Sequence, residues 1–77
     1  MDKEYATAIS YYQRAIDNEN PNVDYAYFQK GVVRDFQDKS AEAIQALDVV
    51  IDRYSRSRYY DDAIYKKAQI QLEDNAY

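Results

Sequence analysis

The chain reads as an all-α protein, a run of alternating helices from a solenoid, and two spacings carry that reading. Ala8-Ile9, Tyr12, Ala15-Ile16 and Asp17 return thirty-five residues later as Ala43-Ile44, Leu47, Val50-Ile51 and Asp52. Ala26, Phe28, Lys30 and Gly31 return thirty-seven residues later as Ala63, Tyr65, Lys67 and Ala68. Two motifs therefore alternate: an A helix, carrying Gly31 or Ala68, and a B helix, carrying Ala8 or Ala43. In a chain of 77 residues, such spacing means small supersecondary units, none of which buries its apolar face alone. The two-residue difference falls in the B-to-A connection, because Ile16 to Ala26 is shorter than Ile51 to Ala63 by that amount, and connections tolerate insertions best.

The elements follow in order within a single fragment spanning residues 1–77. Tyr5, Ala8, Ile9, Tyr12, Ala15 and Ile16 lie on one stripe of a 3.6-residue period, which predicts a B helix over 3–18. Asn20 followed by Pro21 reads as an N-cap with proline at the first helical position, so an A helix is expected over 21–36. Its stripe is Tyr25, Phe28, Val32 and Phe36, with Lys30 and Arg34 assigned to the opposite side. Gly31 inside this helix marks a close helix crossing, since glycine there costs about 1 kcal/mol relative to alanine. Asp38 or Ser40 is expected to cap a second B helix over 39–54, whose stripe Ala43, Ile44, Leu47, Val50, Ile51, Tyr54 is the most regular in the chain and should be the best buried. Ser57 is the cap candidate for a last A helix over 58–74. Asp61 and Asp62 fall in its first turn, where they favour the dipole, and it is expected to continue through Ile64, Ala68 and Leu72 and to fray near Asn75.

Composition narrows the chemistry. The formal charge is -4 and the sequence pI is near 4.6, which argues against nucleic acid, whose binding rests on cation-to-phosphate contacts. That acidity outweighs the placing of Tyr11, Tyr12, Tyr59 and Tyr60 near Arg14, Arg56 and Arg58, which could otherwise suggest bases stacking on rings. No apolar run approaches the roughly 20 residues that a bilayer helix needs, so no membrane insertion is expected, and Met1 onward lacks the features of a signal peptide. With no histidine or cysteine, the chain lacks the commonest general base, the commonest metal ligand and the best nucleophile. The tight acidic groups Asp61-Asp62, Asp35 with Asp38, and Glu73-Asp74 diverge around their helices and do not converge on a metal. Gly31 is the only glycine, so no phosphate loop exists. No catalytic residue, metal or cofactor is assigned, and the chain is not expected to be an enzyme.

Alternating helices with a small residue in A, an alanine twelve residues later, an aromatic or leucine four beyond and a small residue three further resemble the tetratricopeptide repeat. Ala8, Tyr12 and Ala15 match the family's packing residues in one unit, and Gly31, Ala43, Leu47 and Val50 match in the next. The stretch from Ile51 to Tyr65 is similar to repeat linkers of bacterial envelope proteins of the Tol-Pal accessory and outer-membrane assembly lipoprotein type, which implies a periplasmic or envelope location, the cytoplasm being the alternative. The family often has proline where Ser55 stands, and large apolar residues where Lys30, Arg34, Lys67 and Gln71 stand. The resemblance implies a right-handed superhelix whose concave surface, lined by A helices, holds a peptide or helix of a partner protein. Tyr25, Phe28, Val32 and Phe36, with Tyr65, Gln69 and Leu72, are then the groove candidates, and charge reversal at Lys30 is expected to weaken peptide binding. The same stripe reads equally as core in a short array.

The chain opens on a B helix and closes on an A helix, so both ends are expected to expose apolar stripes. Asp2 to Tyr5 and Asp74 to Tyr77 share one phase of the repeat. The alternative function is therefore a structural segment that stacks on further repeats or on a second copy, head to tail or reciprocally swapped. Tyr5, Ile9, Tyr12, Ile64 and Ala68 are the self-association candidates. The rival explanation is a natural protein that continues at both ends.

Overall fold

A computed structural model describes residues 2–74, and the expectations that concern Asn75 to Tyr77 lie outside them. Four helices follow one another: α1 (Asp2–Asp17), α2 (Val23–Phe36), α3 (Ser40–Arg53) and α4 (Tyr60–Asp74). There is no strand among the described residues. α2 packs against α1, α3 and α4, and α3 packs against α4. The result is a slab 41 × 32 × 14 Å across its principal axes, thin enough that every helix keeps an open side.

The buried residues follow the repeat. Ala43, Leu47, Val50, Ala63 and Ile70 form one core cluster, flanked by half-buried Tyr27, Phe28, Ile44, Ile51, Tyr54 and Tyr59. α3 contributes three of those five and also buries Ala46, so it is the helix around which the others are arranged. Burying a side chain such as Leu47, Val50 or Ile70 is worth about 1.5–3 kcal/mol each, and these three are the largest fully buried side chains. On α4 the core contact is made by Ala63 and Ile70, whereas Ile64, Ala68 and Leu72 are exposed. The alanine that repeats Gly31 therefore occupies an open face.

Gly31 itself is buried at the α2–α3 crossing. A Cβ there would lie 2.9 Å from both Cγ and Cδ2 of Leu47 and 3.2 Å from the Ala43 carbonyl oxygen. Leu47 is fully enclosed and has nowhere to retreat. Only a glycine lets the two helices approach to this distance.

The connections show the repeat at atomic detail. The Asn20 side-chain oxygen accepts the Asn22 N–H at 2.9 Å, and its carbonyl accepts the Val23 N–H at 3.0 Å. Thirty-seven residues on, Ser57 Oγ accepts the Tyr59 N–H at 3.0 Å and its carbonyl accepts the Tyr60 N–H at 3.1 Å. Both A helices thus begin after the same side-chain-stabilised turn. That is why they start at Val23 and Tyr60 rather than at 21 and 58: Pro21 sits in the turn ahead of the helix, where its fixed φ also suits.

Asp38 does not cap α3. Its φ is 61°, and it closes α2 in a Schellman arrangement in which its own N–H bonds the Asp35 carbonyl at 2.9 Å and the Lys39 N–H bonds the Arg34 carbonyl at 2.9 Å. Glu19, at φ 52°, closes α1 in the same way, with Glu19 N–H on Ile16 at 3.1 Å and Asn20 N–H on Ala15 at 3.0 Å. The N-cap position of α3 is Lys39, which makes no side-chain cap bond.

Lys30, Arg34 and Lys67 of the A helices reach across to neighbouring helices. Lys30 Nζ donates to Gln13 Oε1 of α1 at 2.7 Å, and Lys67 Nζ pairs with Asp48 Oδ1 of α3 at 2.7 Å. Lys30 and Lys67 are repeat equivalents, and so are Gln13 and Asp48, so the same bridge ties each A helix to the B helix before it. Arg34 turns to α3, with Nε 3.6 Å from Glu42 Oε2, while Nη1 donates to Gln37 at 3.1 Å.

Gly31→Ala should destabilise the chain by roughly 1–2 kcal/mol in urea denaturation, because overpacking exceeds the helix-propensity gain of about 1 kcal/mol. Glu19→Gly should stabilise it by about 1 kcal/mol, since the left-handed conformation no longer opposes a Cβ, and raise Tm by about 4–8 °C for a domain of this size. An unchanged melt for Glu19→Gly would contradict the assigned helix end.

Candidate functional site

The face of interest is built by α2 and α4. α1 and α3 pack on other sides of α2, α1 through Gln13 on Lys30 and α3 through Leu47 and Ala43 on Gly31, and Ala26, Gly31 and Val33 are buried. What remains open on α2 is Tyr25, Phe28, Val32 and Phe36. On α4 the corresponding residues are Tyr65, Gln69 and Leu72, all exposed. Phe36 is 61% exposed, Tyr65 72% and Leu72 73%, whereas Tyr25 is at 37% and Phe28 and Val32 are half-buried. The seven groove candidates therefore lie on one face, but they divide into a packed part and an open part.

Ring contacts make the packed part rigid. Phe28 stacks on Tyr59 with centroids 5.4 Å apart, and Tyr25 meets Tyr59 at 5.3 Å. Tyr12 of α1 stands edge-on to Tyr25 at 6.2 Å and to Tyr11 at 5.4 Å. Offset and edge-to-face rings at these distances are favourable beyond their buried area. Tyr12 and Tyr59, adjacent to arginines in sequence, thus use their rings inside the protein rather than for stacking bases.

Tyr5 stacks on Phe36 at 6.2 Å, and on α4 Lys66 brings Nζ to 6.0 Å from the Phe36 ring centroid. The same Nζ pairs with Asp35 Oδ2 at 2.9 Å, crossing directly between α4 and α2. A partly exposed pair of this kind contributes at most about 1 kcal/mol, so its role is to hold the two helices at a set spacing. At the far end, Ser57 Oγ donates to Asp24 Oδ2 at 2.6 Å, tying the α3–α4 connection to the start of α2.

The self-association candidates separate in the same manner. Tyr5, Ile9 and Tyr12 are half-buried, with Tyr5 and Tyr12 engaged by Phe36 and Tyr25. Ile64 and Ala68 are exposed. Lys30 faces α1 through Gln13 and has no place on the α2–α4 face, so the expected effect of its charge on a groove ligand is withdrawn.

Sequence reasoning missed Tyr59, Lys66 and Ile70. Ile70 had a signal in its thirty-seven-residue match to Val33, which is also buried. It missed as well an open cleft of about 820 Å³ between the two B-to-A connections, lined among others by Ile16, Tyr27, Arg53, Tyr54 and Arg56. No group of three or more His, Cys, Asp or Glu residues able to hold a metal occurs among the described residues, and no described helix is long and apolar enough to cross a membrane.

The Gly31 crossing, the paired helix starts and the Lys30 and Lys67 bridges describe two copies of one helical unit. The family model for the tetratricopeptide repeat matches residues 25–57. That stretch is similar to a tetratricopeptide repeat. It spans α2, α3 and the connection that follows, and tetratricopeptide repeats generally mediate protein–protein interaction as non-enzymatic scaffolds. No curated protein and no solved structure matches the chain, so the envelope likeness of residues 51–65 has no relative behind it.

Burial, first, then repulsion from the Tyr25 phenolate, a hydrogen bond with the Tyr25 hydroxyl and repulsion from the Tyr11 phenolate push the Tyr12 phenol above its ordinary value near 10. The folded state therefore holds this proton more tightly than the unfolded state. The stability this represents is complete below about pH 10 and is lost as pH rises through the folded value. Thermal melts should fall above about pH 10, and Tyr12→Phe should flatten that decline. An equal decline in both proteins would remove Tyr12 as its source.

Proposed function

We propose that the repeat segment is a non-catalytic interaction module that receives a peptide or helix of a partner protein on the α2–α4 face. The observation that carries this reading is the exposure of Phe36, Tyr65 and Leu72 on two helices that the Lys66–Asp35 and Lys67–Asp48 pairs tie to their neighbours. Phe36 is already held by Tyr5 and Lys66, and a ring held in place loses little conformational freedom on binding, which is the economy that interface hot spots exploit. The exposed Tyr25 and the half-buried Phe28 and Val32 form its floor, and Gln69 adds an amide at its edge.

A second reading is stacking on further repeats or on a second copy, and the open Ile64–Ala68 face of α4 favours it. α3 covers the equivalent face of α2, at Tyr27 and Gly31. In that geometry, however, Ala68 stands for Gly31 and, were α1 of another copy the cover, Tyr12 would stand for Leu47. The native crossing already excludes a Cβ at residue 31, so α1 fits α4 only at a wider spacing. The first reading is therefore preferred.

Panning a displayed peptide library against the chain tests it. Selected peptides should bind at least about tenfold more weakly to Tyr65→Ala and Phe36→Ala, as expected for residues central to an interface. Ile64→Arg should leave that binding intact. If Ile64→Arg instead lowers the mass seen in light scattering while Tyr65→Ala changes nothing, stacking is the function.

A further inference from the structure

We propose that the α2–α4 face takes a cationic amphipathic segment, whose lysines or arginines meet Asp62 and Glu73 while its apolar stripe covers Phe36, Tyr65 and Leu72. The inference rests on the reading of this face as a partner-binding surface and adds the chemistry of the partner.

Lys66 reaches Asp35 of α2, so the Lys66 side of α4 looks towards α2. Residues 62 and 73, four before and seven after it, fall within about 40° of the same direction on a 3.6-residue helix. Both are exposed, and neither pairs with a cation among the described residues. The cation between them is neutralised by Asp35. Along this edge the face therefore presents two uncompensated carboxylates and no uncompensated ammonium.

The exposed cation nearest the other end, Arg58, shares a small hollow with Asp24, Tyr25 and Tyr59, so an acid accompanies it. α2 contributes only uncharged groups, Tyr25, Phe28, Val32 and Phe36, to the open strip. The rings are suited to cations as well, because Lys66 already lies over Phe36, and the exposed Tyr65 offers another ring face of the same kind. The chain's charge of -4 adds long-range attraction for a basic partner and repels an acidic one.

Three helical peptides of about 18 residues, sharing one leucine and phenylalanine stripe and differing only in polar positions filled by lysine, glutamine or glutamate, serve as probes in fluorescence anisotropy. The lysine peptide should bind roughly three- to tenfold more tightly than the glutamine peptide, with the glutamate peptide weakest. That preference should shrink at about 300 mM salt relative to about 50 mM. The Asp62→Asn, Glu73→Gln double variant should lose the preference while its helical circular dichroism is unchanged, and Tyr65→Ala should weaken the lysine and glutamine peptides alike. Equal binding of the three peptides, or a preference that survives in the double variant, overturns the proposal and leaves the binding face standing. Failure of all three to bind overturns both.

Discussion

At the α2–α3 crossing, Leu47 occupies the space that a side chain at residue 31 would need, and the Ala43 carbonyl stands close behind it. That contact brings the α2 and α3 backbones close, because the crossing itself requires no side chain from residue 31. It also brings Tyr27 and Phe28 onto the core formed by Ala43, Leu47 and Val50. Ala63 and Ile70 of α4 close the same cluster.

Around that core the A helices are tied by polar groups as well as by the ring contacts of Tyr5 with Phe36 and Tyr12 with Tyr25. The Lys30–Gln13 and Lys67–Asp48 bridges repeat one geometry with a neutral acceptor in one copy and a carboxylate in the other. Each contributes little compared with burial of Leu47 or Ile70, about 1 kcal/mol at most against about 1.5–3. Their consequence is angular: long flexible ammonium side chains set where each A helix sits on its neighbour. Lys66 then links α4 to α2 directly, and the spacing of the open face depends on it.

The candidate face was largely legible in the sequence, since Tyr25, Phe28, Val32, Phe36, Tyr65, Gln69 and Leu72 share one helical side by period alone. Period does not say how much of such a stripe is covered. Phe28 and Phe36 have the same residue type and the same stripe, yet Phe28 stacks on Tyr59 from the following connection while Phe36 stays open. The α3–α4 connection decides this, and its path is not encoded in any helical spacing. The place of Lys30 is hidden for a related reason: period puts it opposite the apolar stripe, and only the fold shows that it reaches Gln13 of α1.

By itself the sequence determined the four helices, the two interleaved spacings, the small residue at the crossing and the place of the extra length between B and A, because each is a local or periodic property of the chain. The tertiary structure alone decided which repeat equivalents differ in environment. Gly31 is enclosed by α3 whereas Ala68 is open, and Asp38 serves the end of α2 rather than the start of α3. These outcomes depend on neighbours brought together across the chain, and no stretch of residues read in order contains them.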